Sequence, residues 1–98
     1  MKSLRVTFSN GEMYDIPIDI IAENRATYYA LKESDKTHQG EVFTEEMKLA
    51  LEDTDEITDW AFNNMDWVDV IHVAKHVEKD RKAPDYNKEW TNVKHKIV

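Results

Sequence analysis

Two adjacent residues, Asn10 and Gly11, constrain this chain more than any others. They lie between two runs of alternating apolar and polar residues, LRVTF and EMYDIP, and Asn-Gly in that setting specifies a β-hairpin. The side chains choose the loop length. A two-residue loop would set Val6 against Asp15 and Leu4 against Pro17, an apolar row facing a polar one. A three-residue loop, Ser9-Asn10-Gly11, pairs Phe8 with Glu12, Val6 with Tyr14 and Leu4 with Ile16. On the other face it pairs Arg5 with Asp15 and Thr7 with Met13. That register gathers Leu4, Val6, Tyr14 and Ile16 on one side and sets opposite charges across the ladder. It also places Gly11 third in the loop, where a type I turn with a following bulge needs a left-handed residue.

Pro17 stops the second strand, because it has no N–H for the ladder, and it suits the start of a helix. Asp19 and Glu23 follow, where the helix dipole favours negative charge. Ile18, Ile21, Ala22, Arg25, Tyr28, Tyr29 and Lys32 then recur at spacings of three and four, the period of an amphipathic helix. The apolar members of this stripe should cover the inner face of the hairpin. Arg25 is expected to lay its stem along the stripe and keep its head in water. Tyr28 and Tyr29 cannot both point inward, so one is expected in the core and one on the surface.

The polar stretch Glu33 to Gly40 reads as a connector. Thr44 is a candidate N-cap, with Glu45 and Glu46 in a first turn and Phe43, Met47, Ala50 and Leu51 as an apolar stripe. Asp53-Thr54-Asp55 looks like a break and a new cap. A helical segment over Asp55 to Asn63 would bury Ile57, Trp60 and Ala61. Two helices or one kinked helix both fit 44–63. Asp66 caps a single turn carrying Trp67 and Val70. From Ile71 to Glu78 the period changes to two and β-branched residues accumulate, which predicts a third strand. Asp80 to Lys88 is a charged connector. Trp90 to Val98 reads either as a fourth, edge strand or as an arm docked by Trp90, with Lys94 and Lys96 discouraging edge pairing. The expected fold is therefore α+β. An N-terminal hairpin, two to three helices and a third or fourth strand complete a small antiparallel or mixed sheet. One domain spans 1–98, and 79–98 is a docked C-terminal arm.

Charge is unevenly distributed. The net charge is −7, but residues 41–69 alone carry ten acidic groups and one basic group, whereas 70–98 carry seven basic and four acidic groups. An acidic chain of this kind is a poor direct ligand for a phosphate backbone. There is no cysteine, so disulfides and thiolate metal sites are excluded. The opening residues lack the apolar core of a signal peptide and no run approaches a membrane span, so a cytoplasmic protein is expected.

Catalytic motifs are missing: there is no G-x-S-x-G and, with Gly11 and Gly40 the only glycines, no phosphate-binding loop. His72 and His76 would share a metal on a helix, with Asp69 or Asp80, but on a strand they are roughly 13 Å apart. Asp53, Asp55 and Asp59 fail the calcium-loop pattern, which requires an oxygen ligand and a glycine where Ile57 and Thr58 stand. No catalytic residue, metal or cofactor is expected. Trp60, Met65, Trp67 and Trp90 supply core area, or in part an interface. The candidate interaction surface is Glu45, Glu46, Glu52, Asp53, Asp55, Glu56 and Asp59, bordered by Trp67 and Trp90. Its expected partner is a protein with a basic surface; self-association through strand edges or an apolar patch is the alternative, and a small enzyme or ligand binder, which would need a closed, polar-lined cavity, ranks third.

The stretches RVTFSNGEMYDIPIDIIAENRATYYA, WAFNNMDWVDV and EWTNVKHKIV resemble small proteins of unassigned function from tailed bacteriophages, including marine phage and metagenomic sequences. The resemblance spans most of the chain. It implies a phage or bacterial cytosolic setting and an accessory role, with no activity or residue role attached.

Overall fold

The computed structural model describes residues 2–78 and 84–98. The hairpin forms as β1 (Ser3–Thr7) and β2 (Met13–Pro17), paired antiparallel as Leu4↔Ile16, Arg5↔Asp15, Val6↔Tyr14 and Thr7↔Met13. This is the three-residue-loop register. Gly11 takes φ 90°, its N–H donates to the Phe8 carbonyl at 2.9 Å, and the Phe8 N–H donates to the Glu12 carbonyl at 2.9 Å. The turn therefore needs a residue without a Cβ at its third position. On the open face of the ladder, Arg5 Nε and Nη2 grip both oxygens of Asp15 at 2.8 and 3.0 Å.

Helix α1 (Ile18–Lys32) begins directly after Pro17 and buries Ile18, Ile21, Ala22, Arg25, Ala26 and Ala30. Small residues at 22, 26 and 30 let α2 (Gln39–Glu52) approach closely. That helix starts five residues before Thr44. Asp35 caps a 3-10 turn over Lys36–His38 by accepting from the Thr37 N–H at 3.0 Å, and the turn runs straight into α2. Thr44 is thus not an N-cap; it lies inside the helix, where its hydroxyl donates to the Gly40 carbonyl.

Asp53 separates α2 from α3 (Thr54–Asn64), so 44–63 is not one kinked helix. Its side chain accepts from the Asp55 N–H at 3.0 Å, and Ile57, Trp60 and Ala61 are buried as the period requires. Asp66 and Asp69 form a reciprocal capping box around α4 (Trp67–Val70). The third strand, β3 (Lys75–Glu78), is shorter than the alternation suggested, because Ile71 to Val73 continue the turn out of α4. The expected 80–88 connector lies partly outside the described residues, and its end is helical, as α5 (Tyr86–Glu89). The chain closes with a 3-10 turn at Trp90–Asn92 and β4 (Lys94–Ile97).

Together the strands make a four-stranded antiparallel sheet in the order β3-β2-β1-β4. The two readings of the C-terminal stretch turn out to be one arrangement. Trp90 docks, 1% exposed, and the strand after it pairs with β1. Leu4, Val6, Phe8 and Ile16 from the sheet meet Ile18, Ile21, Ile57, Trp60, Met65, Trp67, Val70 and Trp90 in one continuous core. Burying residues of this size stabilises by about 1.5–3 kcal/mol each, which makes this cluster the main support of the fold.

Candidate functional site

The acidic residues of the middle segment divide into two sets. Glu41, Glu45, Lys48 and Glu52 share one face of α2, and Asp55 and Asp59 share one face of α3, by the helical spacing of four and three. Glu45, Glu52, Asp53, Asp55 and Asp59 are exposed. Among the described residues none of these five has a basic partner within ion-pair distance; in this block only Glu41, Glu46 and Glu56 do. Asp53 caps α3 and Asp59 accepts from Asn63 Nδ2 at 2.8 Å, so both also serve the backbone or the helix surface locally.

Glu46 and Glu56 point the other way. Arg25 Nη1 pairs with Glu46, and Nη2 lies 3.5 Å from Glu56. The Arg25 side chain is 9% exposed, and its guanidinium carbon sits 4.9 Å from the centre of the Tyr29 ring. The head of Arg25 is therefore not in water as the sequence suggested. It ties α1 to α2 and α3, because the two carboxylates supply the charge and hydrogen bonds that water would otherwise supply. This pairing also corrects the expected surface: Glu46 and Glu56, half-buried, are engaged by Arg25 in a clasp between the helices.

Tyr28 and Tyr29 do not split into one core and one surface residue. Both are part-exposed and pack edge-on to each other, with centroids 5.3 Å apart, against the flank of Trp60. Lys32 Nζ sits 4.4 Å above the Tyr28 ring. Cations resting on the ring faces make a half-exposed position favourable for both.

The tryptophans are interior. Trp90 Nε1 donates to the carbonyls of Ala61 and Met65 at 3.1 and 2.9 Å, fastening the C-terminal arm to the end of α3. Trp60 Nε1 donates to Asn24 Oδ1 at 2.9 Å. Trp67 is 2% exposed among Phe8, Tyr14, Tyr86 and Trp90, and its Nε1 has no hydrogen-bond partner among the described residues. Trp67 and Trp90 are thus not the border of a docking face; their rings are spent on the core.

A second charged group is buried at the sheet end. Glu12, 5% exposed, has its Oε1 taken by Asn10 Nδ2 at 2.6 Å. Its Oε2 accepts from the hydroxyls of Tyr14 and Tyr86, each at 3.0 Å, and lies 3.3 Å from His76 Nε2. His76 stacks flat on Tyr14, with centroids 4.4 Å apart and planes 5° from parallel. Burial pushes the Glu12 pKa up, but the hydrogen bonds from Asn10, Tyr14 and Tyr86 outweigh it, so the carboxyl is held below its ordinary value. Burial, with the hydrogen bonds to Tyr86 and Glu12, drives the Tyr14 phenol well above its ordinary range. Every one of these donors stabilises the carboxylate form. The cluster joins the hairpin turn to β3 and α5; its oxygens are already engaged, which suits a clasp better than a proton-transfer centre.

No family model matches the chain, and neither a curated protein nor a solved structure matches it. No described helix is long and apolar enough to cross a membrane. Among the described residues no three His, Asp or Glu side chains converge as a metal site. His72 stands in the turn before β3, beside Trp60 and Asn64, and so on a different element from His76. The Glu12 cluster was missed in the sequence because Tyr86 lies 74 residues away; the one local signal was Asn10-x-Glu12, in which Asn10 Oδ1 accepts the Glu12 N–H at 2.9 Å.

Proposed function

We propose that this protein is a small non-enzymatic interaction module of the accessory kind, in a phage or bacterial setting, that docks its acidic helical face on a basic surface of a partner protein. One observation carries the reading. Glu45, Glu52, Asp53, Asp55 and Asp59 are exposed and lack basic partners within ion-pair distance among the described residues, while the two acids that do meet Arg25 are half-buried beside it. With Lys48 the one basic residue on that face of α2, the acids outnumber their counter-charge and repel one another, so they are a cost to the isolated fold and a gain on meeting a positive surface. Such a face raises association rates at low salt more than it adds contact energy.

The test is affinity capture from host lysate at low and at high salt, using the wild type beside a Glu45→Gln, Glu52→Gln, Asp55→Asn variant. A basic protein retained by the wild type at low salt, and released by either salt or the substitutions, is the expected result. Recovery of no partner at low salt, or equal capture by the variant, defeats the reading.

Self-assembly is the second reading, and a specific surface favours it. Tyr28 and Leu31, 44% and 72% exposed, line a groove of about 580 Å³ with Ile20 and Trp60. Apolar exposure of that kind is a common basis for two-fold contacts. Light scattering that returns a monomer at high concentration removes it.

A further inference from the structure

The sheet has two edges, and they differ. At the β3 edge the pairing with β2 is interrupted by a bulge between Met13 and Tyr14, a distortion that twists an edge away from new partners. The β4 edge is regular: Thr7↔Lys94, Val6↔His95, Arg5↔Lys96 and Leu4↔Ile97 run without a shift. Ser3 and Val98 exchange both backbone hydrogen bonds, at 3.0 and 2.8 Å. In an antiparallel ladder, hydrogen-bonded and non-hydrogen-bonded pairs alternate, so Lys94 and Lys96 also bond toward β1. The N–H and C=O groups of His95 and Ile97 therefore point to the free edge.

The side chains along that edge are basic. Lys94, His95 and Lys96 are exposed, and Lys94 and Lys96 stand with Arg5 on the open face of the sheet. A groove of about 450 Å³ follows the strand, lined by Arg5, Thr7, Val93, Lys94, His95 and Lys96. Lysines on an edge repel a basic strand and would lose hydration under a neutral one, which guards the edge against copies of itself. Toward an acidic strand the same lysines act as attractants.

We infer that the β4 edge is a docking site for an extended acidic segment of a partner protein, which adds as a fifth strand by bonding to His95 and Ile97 and lays alternate carboxylates against Lys94 and Lys96. Main-chain bonds would supply affinity and the lysine row would supply the choice of sequence. A nucleic acid fits less well: the one ring on this strand, His95, packs against Phe62 with centroids 4.6 Å apart, and the chain as a whole carries −7. The acidic surface of a second copy lies on helices and cannot add as a strand. The site stands on the opposite charge from the acidic helical face and does not depend on that reading.

An end-blocked heptapeptide alternating Thr and Glu, titrated into the full chain at low salt and followed by amide NMR, tests it. The His95 and Ile97 amides should gain at least tenfold protection from hydrogen exchange. Lys94→Glu with Lys96→Glu should weaken binding at least tenfold, and the gentler Lys94→Gln with Lys96→Gln about threefold, which serves if the first pair does not fold. His95→Pro removes an edge donor and no β1 bond, and should abolish the protection at Ile97. The Glu45→Gln, Glu52→Gln, Asp55→Asn variant should bind the peptide as the wild type does. The proposal is overturned if the peptide leaves the β4 amides unchanged. It is equally overturned if a helical peptide of the same charge binds as well, or if an oligothymidylate binds at these lysines while the peptide does not.

Discussion

Among the described residues, the helical half and the sheet half of this molecule each bury one charged side chain, and they hold it by different means. Arg25 is met by Glu46 and Glu56, whose side chains are 27% and 42% exposed. Glu12 is met by two phenols, an amide and a histidine, gathered from β2, β3, α5 and the hairpin loop. If Arg25 is removed, its carboxylates can return to water. If Glu12 is removed, the hydroxyls of Tyr14 and Tyr86, on half-buried rings, lose their shared acceptor together. An ion pair at a rim is therefore the more replaceable of the two, because a carboxylate that serves as the hub of several neutral donors takes an acceptor from all of them at once.

The largest expected effect follows from that difference. Glu12→Leu should cost about 3 kcal/mol in urea unfolding, because several part-buried donors lose one acceptor together. A cost below about 1 kcal/mol would erase the contrast between the two halves. Glu12 also sets a pH response. Its pKa in the folded protein is lower than in the unfolded chain, so its contribution is complete above the ordinary value of 4.5 and drains away as pH falls through the folded value. Thermal melts between pH 6 and about pH 3 should show a steeper acid loss for the wild type than for Glu12→Gln.

Next in size, Arg25→Ala should cost about 2 kcal/mol, since it removes both the clasp and the buried stem. Combining Arg25→Met with Glu46→Gln should recover all but about 1 kcal/mol, since similar volume replaces the pair. Failure of the double substitution to recover stability would mean that the Arg25 clasp is as unforgiving as the Glu12 cluster. The smallest effect belongs to the outward acids. Glu52→Gln should shift stability by no more than about 0.5 kcal/mol at moderate salt. A larger loss would mean that the exposed set, too, is part of the frame.

How much of this was visible in the chain depends on the range over which each choice is made. The hairpin register was legible because a shift by one residue would turn Leu4, Val6 and Ile16 to water, and because Gly11 suits only one loop. The α3 core positions Ile57, Trp60 and Ala61 and the single turn at Trp67 were legible for the same reason: period and cap agree within a few residues. The start of α2 was not, since the Asp35-capped turn upstream of Gln39 competes with Thr44 and is preferred when α2 must lie along α1. Nor was the engagement of Glu46 and Glu56 by Arg25. Nothing within a helical period of either residue distinguishes them from Glu45 or Glu52; the distinction is Arg25, 21 residues before Glu46.

By itself the amino-acid sequence determined the elements that local sterics and periodicity decide: the Asn-Gly turn and its register, the Pro17 boundary, the Asp53 and Asp66 caps, and the acidic imbalance of the middle segment. Tertiary structure decided which of several equivalent side chains became internal. It placed Trp90 under the carbonyls of Ala61 and Met65, Tyr86 on Glu12, and Lys94 to Ile97 beside β1. Those outcomes depend on segments tens of residues apart closing on one core. The free energy that selects them comes from packing and desolvation at the point of contact, and no local pattern records where that point will be.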